Sequence, residues 1–155
     1  MSKSLKRVRA ALDAAGLEVE ILEMLDGTRT AQDAARAAGC EIDQIVKSIL
    51  VSDPQDRVIL FLTAGGNQVD MRKASAVAGC ELRKADAKQV RAQTGFAIGG
   101  VAPIGHVTPP RSFMDPRLRD FAQIWGAAGT PRHIFAADPR DIERITGAQI
   151  ADFTT

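Results

Sequence analysis

The sequence predicts a mixed α/β fold, on three observations. Five segments carry helix punctuation at both ends. Short apolar, β-branched runs lie between them. The two kinds of segment alternate irregularly, which suits helices packed around one sheet rather than a regular βαβ repeat. A length of 155 residues fits one domain, 1–155, with a sizeable core. Hydrophobic residues at 45% and charged residues at 25% give the profile of a soluble globular chain.

The helices follow one rule: a capping residue, a helical spacing of apolar residues, then glycine. Ser4 leads into Leu5, Val8 and Leu12, and Gly16 closes the segment. Thr30 leads into Ala31, Ala34, Ala35 and Ala38, closed by Gly39. Asp70 opens a segment that ends at Gly79. Asp86, with Gln89 three residues on, opens one that ends at Gly95. Asp138 precedes Pro139, a favoured first helical residue, and Gly147 ends that helix.

Strands are expected over Leu17–Leu22, Arg57–Thr63, Glu81–Lys84 and His133–Ala137, with an edge strand over Gln149–Phe153. The run Ile45–Val51 is ambiguous, because Ile42, Ile45, Val46, Ile49 and Leu50 also have helical spacing. Its β-branched content and the Asp53-Pro54 turn favour a helical turn through about Gln44 and a strand from Val46. That strand would pair with the Arg57 strand through the turn at Ser52–Asp56.

Composition excludes several classes. A net charge of +1 argues against a constitutive DNA binder, and no tyrosine with one tryptophan argues against broad base-stacking platforms. No apolar run approaches the roughly 18 residues a membrane span needs. The N-terminal stretch lacks the apolar core of a signal peptide, so a cytoplasmic location is expected. Cys40 and Cys80 make neither a disulfide framework nor a metal site. Neither a dinucleotide fingerprint nor a phosphate-binding P-loop is present, so no cofactor is expected.

The residues with chemical potential gather in two places. Gly99-Gly100-Val101-Ala102-Pro103-Ile104-Gly105-His106 packs three glycines into a stiff bend, Gly99, Gly100 and Gly105, with Pro103 and His106. Such a bend either serves as a tight turn or holds a carbonyl or phosphate on bare amides. Lys47 stands in the apolar run Val46–Val51, where it either snorkels to an edge or directs a cation into a pocket. Ser48 would be a nucleophile only beside a base. His106 is either structural or part of a site, and His133 reads as structural. Gly129-Thr130-Pro131 forms a second sharp turn. Arg72, Lys73, Arg83, Lys84, Lys88 and Arg91 make either an RNA-facing patch or ordinary solvated helix faces.

Gly100-Val-Ala-Pro103-Ile-Gly105-His106 resembles the Gly-x-x-Pro-x-Gly-His signature of the YbaK-like family, free-standing relatives of the editing domain inserted in bacterial prolyl-tRNA synthetases. Ile45–Leu50 is similar to that family's lysine strand, Thr30–Gly39 to its preceding helix, and Ala127–Pro131 with Asp138–Gly147 to its C-terminal part. The resemblance implies a strongly curved, mixed and mostly antiparallel sheet surrounded by helices. It also implies hydrolysis of the ester of mischarged tRNA, most often tRNA for proline carrying alanine or another small residue. A sister branch acts on cysteinyl-tRNA, and a tRNA- or protein-binding module without catalysis is a further alternative. In the family pattern Lys47 is the essential lysine, which would serve the terminal phosphate or electrostatic stabilisation, and the amides near Gly100 and Gly105 would hold the carbonyl or oxyanion. Ser48, Gly99, Gly100, Pro103, Gly105 and His106 would bind substrate, with Thr30, Gly129 and Thr130 in support. The acceptor end of tRNA is the implied partner, with prolyl-tRNA synthetase as a transient carrier, and neither DNA nor a membrane is implied.

Overall fold

The computed structural model describes residues 2–24 and 30–155. Among the described residues five α-helices form: α1 (Lys3–Ala14), α2 (Ala31–Ala38), α3 (Met71–Ala78), α4 (Ala87–Thr94) and α5 (Pro139–Thr146). The same residues form eight strands: β1 (Ile21–Glu23), β2 (Val46–Ser52), β3 (Val58–Ala64), β4 (Arg83–Lys84), β5 (Arg111–Met114), β6 (Ile124–Ala127), β7 (His133–Ala137) and β8 (Gln149–Ile150).

The side chains of Thr30, Asp70, Asp86 and Asp138 each accept a backbone N–H of their helix's first turn, as the sequence leads one to expect. Gly39, Gly79, Gly95 and Gly147 close these helices in the left-handed conformation. Two local details differ. Ser2 rather than Ser4 caps α1, its Oγ accepting from Leu5 N at 3.0 Å. Gln89 makes no reciprocal cap; its Nε2 donates to Ser52 Oγ and Asp56 O, both at 2.8 Å, and ties α4 to the β2–β3 turn.

The ambiguous run resolves into a 3-10 turn at Ile42–Gln44 followed by β2, which pairs antiparallel with β3 from Val46↔Ala64 to Ser52↔Val58. All seven β3 residues are buried. On one face, Val46, Leu60 and Leu62 join Val8 and Leu12 of α1, Val90 of α4 and Ile142 of α5. On the other, Val51, Ile59 and Phe61 pack on Ala74 and Ala78 of α3. Helices therefore cover both faces, with antiparallel pairs outnumbering parallel ones.

The expected single sheet is divided. One sheet has five strands in the order β4-β2-β3-β5-β8, and the other has three in the order β1-β7-β6. Among the described residues they meet at one bridge, between Ile45 and Trp125. Strands β5 and β6 were not expected: each is four residues long, and β6 contains Gly126, so neither shows a periodic signal. The C-terminal edge strand covers only Gln149 and Ile150, and β1 starts at Ile21 rather than Leu17.

Candidate active site

The division between the sheets creates a cleft. Strand β4 pairs with β2 only at Val51 and Ser52, and β6 touches its line only at Ile45. Between these points the outer edge of β2 has no strand partner among the described residues. A cavity of about 480 Å³ runs along that edge. Its walls are β2 itself, Trp125–Ala127 of β6, the start of α2, Lys84 and Ala85 beside β4, and Ile98, Gly99 and Val101 of the bend.

Lys47 and Ser48 both line this cleft although successive strand residues point to opposite faces, because the cavity wraps the open edge. The Lys47 ammonium donates to the backbone carbonyl of Asn67. Asn67 is itself set: its Nδ2 donates to Asp115 Oδ2 at 2.9 Å, and Ala64 N donates to the same oxygen at 3.1 Å. Asp43 stands near, accepting from Gly66 N and from Arg117 Nε, both at 2.9 Å. Burial pulls the Lys47 ammonium below the ordinary lysine value, and the carboxylates of Asp115 and Asp43 oppose that pull. Asn67 takes one of its three N–H donors, and the other two have no acceptor among the described residues.

The bend has two sides. Gly99 and Val101 face the cleft, and neither of their N–H groups donates to an acceptor among the described residues. Gly100 faces elsewhere. Its N–H closes a turn on Ala97 O at 3.0 Å, and a Cβ placed there would stand 2.8 Å from Thr130 Cα, so only glycine lets the two segments meet. Pro103 rests against Gly126. The Arg7 guanidinium donates to Gly105 O at 2.7 Å and to Gly95 O at 2.8 Å while covering the Phe96 ring.

Pro103, Gly105 and His106 line a separate cavity of about 200 Å³ on the far side of the bend, with residues of α1 and α5. His106 Nε2 is 2.6 Å from Ala102 O, and its ring meets Phe96 edge-on. Burial holds the imidazole below its usual pKa, opposed by the Ala102 contact and assisted by Arg7. A neutral ring then donates from Nε2. Thr30 lines the cleft and caps α2. Gly129 and Thr130 do not line it: Gly129 fits against Ser4 O of α1, and Thr130 Oγ1 pairs with His133 Nδ1 at 2.6 Å.

The cleft thus gathers Lys47, Ser48, Gly99 and Thr30 from the expected set and leaves out Gly100, Pro103, Gly105, His106, Gly129 and Thr130. It adds Lys84, Trp125, Ala127 and Ile134, which the sequence did not mark as site residues. Strand β6 gave no periodic signal, and Lys84 was one of six scattered cations. Among the described lining residues there is no carboxylate, imidazole or thiol. Ser48 therefore has no carboxylate or imidazole base in the described lining, and the two ammonium groups of the cleft offer electrostatic stabilisation.

Residues 26–145 match the family model of the aminoacyl-tRNA editing domain. YwhH of Bacillus subtilis is 28% identical over 95% of this chain and 94% of its own length. A proline–tRNA ligase of Shouchella clausii is 32% identical over 74% of this chain, a region that makes up 20% of that protein. A crystal structure described as a candidate trans-editing enzyme for prolyl tRNA synthetase superposes with a TM-score of 0.94 at 42% identity, covering 100% of this chain and 99% of that one. The cleft between the two sheets is thus found in a chain that belongs to the aminoacyl-tRNA editing domain family.

Proposed function

We propose that this chain hydrolyses the ester of mischarged tRNA, acting in trans on tRNA for proline that carries alanine or another small non-cognate residue. The observation that carries this reading is the cleft's inventory: two ammonium groups and two unused amides of the bend, with no carboxylate, imidazole or thiol among the described lining residues. Such a site suits a bond that is already activated, because it stabilises charge without supplying a nucleophile.

In this reading water attacks the ester carbonyl. The carbon–oxygen bond to the ribose breaks, the amino acid leaves with the new oxygen, and the ribose oxygen takes a proton. The neighbouring ribose hydroxyl of the tRNA orients the water and moves its proton. Developing negative charge on the carbonyl oxygen is met by the Gly99 and Val101 amides, which replace the Gly100 and Gly105 amides as candidates. Lys47 stabilises the same charge.

The walls favour an uncharged aminoacyl side chain. Ala31, Ala34, Ile49, Leu50 and Val90 offer apolar contacts, and a second cation would meet Lys47 and Lys84. The tie to tRNA for proline is supported by the likeness to a proline–tRNA ligase and to the trans-editing candidate. Prolyl-tRNA synthetase would then be a transient partner.

The test is a deacylation panel using alanyl-, seryl-, threonyl-, cysteinyl- and prolyl-tRNA for proline with the pure protein. Faster hydrolysis of the alanyl ester than of the others is expected, with the prolyl ester spared. Preference for the cysteinyl ester would move the chain to the sister activity. No hydrolysis of any ester would leave a binding module.

A further inference from the structure

Strand β2 is paired along its whole length on one side and only near its ends on the other. In an antiparallel ladder alternate residues turn both main-chain groups toward the partner, and the residues between them turn theirs away. Hydrogen bonds around β2 fix which residues do which. Asp53 N donates to Arg57 O at 2.9 Å and continues the β2–β3 ladder, so Val51, Ile49 and Lys47 bond inward to β3. Leu62, opposite Ser48, sends its carbonyl the other way, where it accepts from Asp115 N at 2.9 Å. Ala64, opposite Val46, likewise turns its N–H away, to Asp115 Oδ2. Ser48 and Leu50 therefore direct their main-chain groups out of the sheet edge, on the side where both residues line the cleft.

Strand β4 joins this edge at Val51 and Ser52, and Trp125 bridges it at Ile45. Between these points no strand or loop group among the described residues bonds Ser48 C=O or Leu50 N–H. The two groups flank Ile49 and set an acceptor beside a donor. With β4 and Trp125 at its two ends, the free edge suits a compact ligand better than an extended peptide. The cavity of about 480 Å³ has the size of a small-ligand site. Ala85, Val90, Ile98, Val101 and Trp125 supply apolar surface for a flat ring.

We infer that this edge reads the adenine that ends the charged tRNA, its 6-amino group donating to Ser48 O and the adjacent ring nitrogen, N1 or N7, accepting from Leu50 N–H. This rests on the deacylase reading and deepens it. Adenine sets a donor beside an acceptor on either edge, the complement of the Ser48 and Leu50 pair. A base with a carbonyl at position 6 would bring oxygen against Ser48 O and leave it unpaired. Main-chain atoms do the reading, so no side-chain motif marks it.

The experiment compares the 2′(3′)-O-alanyl esters of adenosine, purine riboside, 1-deazaadenosine, 7-deazaadenosine and inosine, with alanyl-tRNA for proline as reference. Ester and ribose are the same in all five nucleosides, so their intrinsic reactivity matches. Relative to adenosine, kcat/KM should fall about 3- to 10-fold for purine riboside, which lacks the 6-amino group, chiefly through KM. One deaza analogue should fall by about as much and the other should not. Inosine should fall about 30-fold or more, since both groups of the edge are then mismatched. In amide nitrogen–proton correlation spectra, the Leu50 signal should move with adenosine 5′-monophosphate and stay in place with inosine 5′-monophosphate. Equal rates on all five esters would overturn the assignment and leave the deacylase reading standing. Discrimination without movement of the Leu50 amide would also overturn it, placing the base elsewhere. If none of the nucleoside esters turns over, the Leu50 amide decides: movement with the adenosine nucleotide alone upholds the assignment, and any other result overturns it. Failure on alanyl-tRNA as well would separately overturn the deacylase reading.

Discussion

The β2 edge and the glycine-rich bend both drew attention in the sequence, yet they serve the molecule differently. Strand β2 opens an unpaired edge to a cavity and presents Lys47 and Ser48 there. The bend turns most of its distinctive residues inward. Gly100 meets Thr130, Pro103 meets Gly126, and Arg7 holds Gly105 O. Only Ile98, Gly99 and Val101 face the cleft. The difference teaches that the motif's glycines and proline act mainly as fitted surfaces. They bring β6 and the Gly129 turn to the right distance from β2, and so set the width of the site.

The largest effect that could break this contrast is at Lys47. Lys47→Ala should lower kcat/KM for alanyl-tRNA by about 100-fold or more, since a preorganised charge donor is removed. Thermal unfolding should change little, because the side chain is only half-buried. Steady-state deacylation and calorimetry together check this. Loss of fold without a specific loss of rate would erase the distinction between strand and bend.

Gly100→Ala should behave in the opposite way. The added methyl group meets backbone atoms of Thr130 within 3 Å, which cannot move aside like a flexible side chain. A stability loss of about 1–3 kcal/mol is expected in urea titration, with activity falling as the cleft changes width.

Asp115→Asn probes the link between the regions. The buried carboxylate accepts from Ala64 N, Asn67 Nδ2 and Arg117 N, and an amide cannot accept at both of its ends. Its charge also raises the Lys47 pKa, so its removal should lower that pKa further. If the ammonium is the active form, activity falls as pH rises through the Lys47 pKa. That alkaline limb should lie below the ordinary lysine range in wild type and lower still in Asp115→Asn. A pH profile corrected for uncatalysed ester hydrolysis measures it.

The smallest effect is expected at His106. Its pKa is depressed in the folded state, chiefly by burial, so the unfolded chain binds the proton more readily. The resulting stability is present above the unfolded value of about 6.5 and is lost as pH falls through the folded value. His106→Gln keeps an Nε2-like donor toward Ala102 O and cannot titrate. The wild type should lose stability relative to this variant on acidification from about pH 6.5, while deacylation near neutral pH stays within a few-fold.

Much of this was legible because local chemistry decided it. Asp70, Asp86, Asp138 and Thr30 are caps wherever such helices occur, and the Asp53-Pro54 turn fixes the β2–β3 pairing. What escaped depends on tertiary placement. Trp125, Gly126 and Ala127 form a cleft wall only because β6 pairs with β7 and touches β2 at one bridge. His106 and Gly99 are seven residues apart in one motif, but the bend sends them to different cavities. A sequence motif records which residues are needed together, and leaves open which side of the backbone each one serves.

The most direct measurement is a crystal structure with 3′-alanylamino-3′-deoxyadenosine, an amide in place of the ester. The account predicts the amide carbonyl between the β2 edge and the Gly99 and Val101 N–H groups, within hydrogen-bond reach of Lys47. A ligand seated instead against Pro103 and His106, on the far side of the bend, would contradict it.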